Sequence, residues 1–184
     1  MKMYDIENAT PQEMLEILLL LAKKFNKEGL GNPYNYNRGC EYIQALTFDL
    51  VLTKVGGGSD AYHRTEKYFV ELKKTSFAGF TKKGKMKSHS FSYNGTTRKA
   101  TIEEQIEYCK KKVLRDKFHL LTVIDDTKGS LYQTYKVTGE EMWKVLKDKM
   151  IRSWKNPKGD PRINATVSTN DLEKYGIQYE VIKH

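Results

Sequence analysis

The sequence predicts one mixed α+β domain, a central mixed β-sheet flanked by helices. Three observations predict it. Helix-start signatures recur at Thr10, Thr101 and Thr138, each followed by apolar residues at helical spacing. Between them lie short runs with the alternation and β-branched content of strands. The 184 residues are 39% apolar, about 72 side chains, enough for a single core without disulfide or metal staples.

The elements follow in order. Thr10-Pro11-Gln12-Glu13 combines an N-cap, a first-turn proline and a glutamate three residues after the cap, so a helix is expected over about 11–25. Gly29 to Gly39, rich in Asn, Gly and Tyr, reads as an irregular loop. Helical spacing resumes from Cys40 to about Thr53 through Ile43, Leu46, Leu50 and Val51. Gly56-Gly57-Gly58 breaks the chain, and Asp60–His63 and Tyr68–Lys73 read as a hairpin. Thr101 opens a helix to about Leu114. Lys117–Asp125 and Ser130–Val137 are expected strands joined by a turn at Asp126-Thr127-Lys128-Gly129. Thr138 caps a helix through Trp143, Leu146, Met150 and Ile151. A short strand near Ile163–Val167, a helical turn at Asn170–Tyr175 and a terminal strand complete the chain. Trp143, Trp154 and His119 are expected to be structural.

Composition excludes several classes. The longest apolar run, Ile17 to Ala22, is far shorter than the roughly 20 residues of a membrane span. Met1–Thr10 carries Asp5 and Glu7 and reads as no secretory leader. Cys40 and Cys109 form no CxxC pair, and the four histidines lack zinc-ligand spacing, so a reducing, cytoplasmic setting without zinc is expected. With 12 Tyr, 7 Phe and 2 Trp the chain is too aromatic for disorder.

The net charge is +9, and it is concentrated. From Leu72 to Lys99 there is no Asp or Glu, yet Lys73, Lys74, Lys82, Lys83, Lys85, Lys87, Arg98 and Lys99 all fall there. They are interleaved with Phe77, Phe80, Phe91 and Tyr93, a pattern that suits a polyanion because each neutralised phosphate releases counterions. Within it, the His89 ring of Lys87-Ser88-His89-Ser90 has the donor and acceptor needed to read a base edge.

The chemistry centres on Asp60 and Glu71-Leu72-Lys73. Strand alternation puts Glu71 and Lys73 on one face and Leu72 on the other, and a hairpin brings Asp60 alongside Glu71. Carboxylate oxygens are hard ligands suited to Mg²⁺. A lysine beside them can orient or deprotonate water, or stabilise charge on a phosphate. Asp126-Thr127-Lys128 repeats the acid-x-Lys pattern but lies in a turn, where alternation cannot align it.

Ser59-Asp60 followed by Glu71-Leu72-Lys73 resembles the signature of the PD-(D/E)xK nucleases, and the chain looks most like the small type II restriction endonucleases related to PvuII. The likeness runs from about Asn37 to Gly176 and takes in Ser88–Ser90, Lys149–Ser153, Trp154, Asp160, Ile163-Asn164 and Glu173–Gly176. It implies a restriction-endonuclease-like core in which Asp60 and Glu71 ligate Mg²⁺ and Lys73 assists the attacking water. It further implies that Ser88, His89 and Ser90 face base edges, that Asn164 supports recognition and that Asn37 lies near the minor groove. Lys74, Lys82, Lys83, Lys85 and Lys87 would contact the backbone of double-stranded DNA. Ser59 stands where the superfamily often has Pro, and His89 stands alone where relatives carry consecutive histidines. Glu41 is a distant candidate for a second metal, and the segment from Asn94 to about Thr101 has no assigned role.

The whole chain, 1–184, is therefore read as one nuclease domain, with 1–36 as a helix and loop and 37–184 as the catalytic and recognition core. The helix at Thr10–Phe25 either pairs two copies or completes the core. The partners expected are duplex DNA, a second copy of the chain and a cognate DNA methyltransferase encoded nearby. A structure-specific repair or junction nuclease and a non-catalytic basic DNA-binding module are the rival readings.

Overall fold

The computed structural model describes residues 8–33, 35–54, 58–157 and 162–184. The expected Gly56-Gly57 break, Asp160 and the first seven residues lie outside them. The elements run α1 (Pro11–Lys27), α2 (Tyr36–Thr47), β1 (Leu50–Leu52), β2 (Ala61–His63), β3 (Phe69–Ser76), β4 (Ser90–Thr97), α3 (Ile102–Arg115) and β5 (Asp116–Asp125). There follow β6 (Ser130–Thr138), α4 (Gly139–Lys155), β7 (Arg162–Ser168), α5 (Thr169–Lys174) and β8 (Tyr179–Lys183). The fold is mixed α+β. Six strands form a sheet in the order β1-β2-β3-β5-β6-β8, in which only β3 and β5 run parallel, and β4 and β7 form a separate antiparallel ribbon.

The alternation of β5 explains the layers. Leu120 faces Ala45 of α2 together with Leu52, Val70 and Leu72, whereas Leu121 and Val123 face the larger core built on α3 and α4 with Cys109, Val113, Met142 and Leu146. Helices therefore cover both faces of the sheet. Capping boxes at Thr10 with Glu13 and at Thr101 with Glu104 open α1 and α3, satisfying backbone donors that a helix start leaves orphaned. Both cysteines are free and buried. Trp143 and Trp154 pack against the larger core. The Asp126–Gly129 turn closes on Asp125, whose Oδ1 accepts from the Thr127 amide at 3.1 Å. Among the described residues no helix is long and apolar enough to cross a membrane.

Two expectations are corrected. The second helix begins at Tyr36, not Cys40, because the Asn35 side chain accepts from the Asn37 amide and caps it inside the expected loop. It ends at Thr47; Asp49 adopts φ 51° and turns the chain into edge strand β1, so Leu50 and Val51 are strand residues. Within the basic stretch, β4 occupies Ser90–Thr97.

The unassigned segment up to Thr101 has a structural role. It completes β4, and the Arg98 guanidinium then donates to the Trp154 and Ser153 carbonyls at the end of α4. Trp154 Nε1 returns a hydrogen bond to the Lys99 carbonyl at 3.1 Å. Orphan carbonyls of a helix C-terminus are satisfied by a cation there.

Candidate active site and ribbon

The hairpin register pairs Ala61 with Val70, which puts Asp60 beside Glu71. Val70 and Leu72 point into the core under α2, so Glu71 and Lys73 project from the opposite face, as the sequence alternation requires. Asp60 Oδ2 accepts from the Leu72 amide at 2.9 Å, which fixes its carboxylate against β3. Lys73 Nζ lies 2.5 Å from Glu71 Oε1 and 3.5 Å from Asp60 Oδ2. The three predicted side chains thus meet at one point.

The electrostatics follow from burial and crowding. Burial first, and the Glu71 charge second, hold the Asp60 carboxyl above the ordinary carboxylate range. Burial opposes the Lys73 ammonium, but Glu71 and Asp60 outweigh it and raise Lys73 above its ordinary value. Lys73 is therefore a cation at neutral pH. The donor set suits a hard divalent ion, since two crowded carboxylates gain from a second positive charge and Mg²⁺ is commonly held by one or two carboxylates with water. Among the described residues no group of three or more His, Cys, Asp or Glu is placed to hold a metal, so Glu41 does not complete a larger cage.

Further residues reach the site through tertiary packing. The Lys73 ammonium stands 5.3 Å from the centroid of the buried Tyr93 ring. Tyr93 Oη lies 3.1 Å from His119 Nδ1, and His119 Nε2 lies 3.1 Å from the Val113 carbonyl. Only one arrangement satisfies both: Nε2–H donates to the carbonyl and Nδ1 accepts the phenol proton. Burial lowers the His119 pKa to about 4, which keeps the ring neutral. On the other side, Arg38 donates to the Leu30 carbonyl at 2.5 Å, to the Thr53 carbonyl and to Glu41 Oε2 at 2.7 Å. Burial raises the Glu41 carboxyl against that hydrogen bond, and the Asp60 charge adds to it.

The predicted DNA-contacting residues divide. A cavity of about 440 Å³ joins Asn37, Glu41, Lys73 and Lys74 to Ser90 and Ser92 of the ribbon. Asn37 also lines a cleft of about 590 Å³ that reaches Asp60. Lys82, Lys83, Lys85 and Lys87 are exposed on a small hairpin closed by the Phe80–Met86 bridge. Asn164 sits on the outer side of β7, and its amide donates to Ser153 Oγ at 3.1 Å. Ser88 is exposed, with Oγ 3.1 Å from Thr169 Oγ1. No protein-family model matches the chain, and no curated protein matches it.

His89 is the exception. It is 2% exposed; its Nε2 accepts from the Ala78 amide at 3.1 Å, and its ring stacks on Phe77. Its backbone exchanges hydrogen bonds with Thr169. The residue expected to read a base edge instead pins the base of the lysine hairpin to α5. The physical reason is alternation: with Ser90 and Ser92 outward, His89 and Phe91 must point in.

A pH dependence follows. Burial depresses the folded pKa of His89, so its stabilisation is present above the unfolded value of about 6.5 and is lost as the pH falls. Protonation removes the acceptor for Ala78 N–H. Melting measured from pH 7.5 to 5 should show wild type losing about 1 kcal/mol more than His89→Gln, whose amide keeps an acceptor. Parallel losses in the two proteins count against this role.

Proposed function

We propose that the protein is a type II restriction endonuclease, a Mg²⁺-dependent hydrolase that cuts double-stranded DNA at a specific sequence and leaves 5′-phosphate ends. The observation that carries the reading is the convergence of Asp60, Glu71 and Lys73 at the edge of a cleft that continues to Lys74, Ser90 and Ser92. Asp60 and Glu71 would hold Mg²⁺, which when bound polarises phosphoryl oxygen and lowers the pKa of its water. Lys73, being charged, fits the stabilisation of negative charge on the phosphate and the orientation of water better than proton abstraction. Water attacks phosphorus, the bond to the 3′-oxygen breaks, and that oxygen leaves with a proton as a 3′-hydroxyl.

Recognition falls to the ribbon. Phe91, Tyr93, Ile163, Ala165 and Val167 are buried beneath it, while Ser90, Ser92, Arg162 and Thr166 face outward. A two-stranded ribbon is of a size that the major groove admits, and hydroxyls and amides pair with base edges. A digest of DNA of known sequence in Mg²⁺ buffer, with the ends mapped, tests the reading. Discrete fragments support it; cutting only at branches or nicks favours a repair or junction nuclease, and salt-dependent binding with no cleavage in Mg²⁺ or Mn²⁺ leaves a DNA-binding module.

A homodimer belongs to this reading, because a palindromic site is matched by two-fold symmetry. Of the described α1 residues only Phe25 is buried, through a ring contact with Tyr42, whereas Leu18, Leu19 and Leu20 are 45%, 51% and 52% exposed. Exposed apolar surface of this kind marks an interface. Leu15→Lys combined with Leu19→Lys should weaken dimerisation at least about tenfold in sedimentation, a change of about 1.4 kcal/mol. A wild-type protein that sediments as a monomer removes the dimer. The reading also carries a cytoplasmic setting and a cognate methyltransferase encoded nearby, which would protect the host's own sites.

A further inference from the structure

The ribbon has a second flank. β4 packs on β3, which carries Glu71 and Lys73, and β7 packs on α4, so the order across the molecule is β3, β4, β7, α4. Between β7 and the last turns of α4 lies a cavity of about 460 Å³ lined by Lys149, Arg152, Ser153, Asn156, Arg162 and Asn164 among others, with no carboxylate among the described residues of its lining. It lies outside the acid-free stretch from Leu72 to Lys99, and none of its cations entered the sequence-based binding surface.

The basin is built against the ordinary electrostatics of its position. A helix C-terminus presents carbonyls and repels an anion. Here Arg98 donates to the Trp154 and Ser153 carbonyls, and both the backbone amide and the Nδ2 of Asn156 donate to the Arg152 carbonyl. The carbonyl end is thereby covered by donors. Because the Asn164 amide donates to Ser153 Oγ, the Ser153 hydroxyl proton remains available to another acceptor. Lys149 holds Asp171 at 2.9 Å with its side chain 18% exposed, whereas Arg152 and Arg162 are exposed along the basin, where their guanidinium groups can reach an incoming anion.

We propose that this α4–β7 basin binds the phosphate backbone of the DNA strand opposite the one held at Asp60, Glu71 and Lys73. The inference rests on duplex DNA being the substrate, and it adds the second backbone contact. Strands of a sheet lie about 4.8 Å apart, so the two-stranded ribbon is narrower than a major groove of about 12 Å. A ribbon seated there has one phosphate backbone on either flank. The catalytic lip with Lys73 and Lys74 meets the first, and Arg152 and Arg162 meet the second. Phosphate contacts of this sort set register without reading sequence.

The test is binding of a labelled 30-base-pair duplex by fluorescence anisotropy in EDTA, from 50 to 200 mM KCl, which keeps binding separate from cleavage. Each lost phosphate contact lowers the slope of log K against log[salt] by about 0.9. Arg152→Ala with Arg162→Ala should flatten the slope by about 1 to 2 and weaken binding at 50 mM KCl at least about tenfold. Arg152→Lys with Arg162→Lys should keep most of the slope, because it preserves charge, and it keeps the test usable if the alanine pair unfolds. A folded alanine pair with wild-type slope and affinity overturns the basin, as does a wild type that does not bind duplex. The nuclease reading fails separately: a basin-dependent slope in a protein that never cuts sinks that reading alone, whereas cleavage with a basin-independent slope sinks the basin alone.

Discussion

Asp60→Asn and Lys73→Ala should each lower duplex cleavage at least about 10³-fold, equivalent to about 4 kcal/mol of transition-state stabilisation. Their secondary effects should differ. Asp60→Asn keeps an acceptor for the Leu72 amide and removes a charge facing Glu71, so the fold and its melting temperature should survive. The Mg²⁺ concentration needed for residual activity should rise, because a carboxylate ligand has become an amide. Lys73→Ala leaves Asp60 and Glu71 facing each other without the ammonium between them, and loss of one partner from a buried charge group is strongly destabilising. That variant should melt lower without Mg²⁺ and recover much of the loss when Mg²⁺ is added. Both should bind duplex, since the exposed lysines and the ribbon are untouched. Full cleavage by either variant removes the assignment, and a Lys73→Ala protein whose melting ignores Mg²⁺ removes the metal from the carboxylate pair.

The parts of this site that were legible in the sequence are the parts that are local. Asp60, Glu71 and Lys73 lie within one hairpin, where a period of two fixes which side chains share a face. The capping boxes of α1 and α3 are also local, and they fixed each helix start at the residue after its Thr. In the sequence α2 and β1 merge into one helical pattern, because a short buried strand carries an apolar run that continues the spacing of Ile43 and Leu46. The ribbon was hidden for another reason. β4 and β7 pair Ser90 with Ser168 and Ser92 with Thr166, partners more than seventy positions apart, and its outer face is as polar as a loop. Tyr93, His119, Arg38 and Glu41 likewise reach the site only through tertiary packing. His89 shows the cost of reading a residue type without its face: Ser88-His89-Ser90 resembled a recognition segment, but alternation along β4 turned the ring inward.

Phe91→Ala should be the most destabilising single truncation in the β4–β7 ribbon. Phe91 is 0% exposed and packs with Tyr93, Ile163, Ala165 and Val167 in the larger core. Truncating a buried Phe costs about 3–5 kcal/mol, from lost transfer energy and the cavity left behind. In a chain of this size 1 kcal/mol shifts melting by about 2–4 °C, so a fall of about 6–20 °C is expected. The functional consequence separates the ribbon from the chemistry. Asp60, Glu71 and Lys73 stand on β2–β3 and their connections in the six-stranded sheet, whereas Ser90 and Ser92 stand on the strand that Phe91 anchors. Below the melting temperature, Phe91→Ala should therefore raise KM for duplex DNA and relax discrimination between sites, with kcat changed less than KM. Ser92→Ala provides the complement, because a surface change stays within about 0.5 kcal/mol in stability while removing one candidate base contact. If Phe91→Ala melts within 2 °C of wild type, the inner face of the ribbon is not part of the core. If it cuts with unchanged KM and unchanged site choice, the ribbon does not read DNA, even where Asp60 and Lys73 still prove essential.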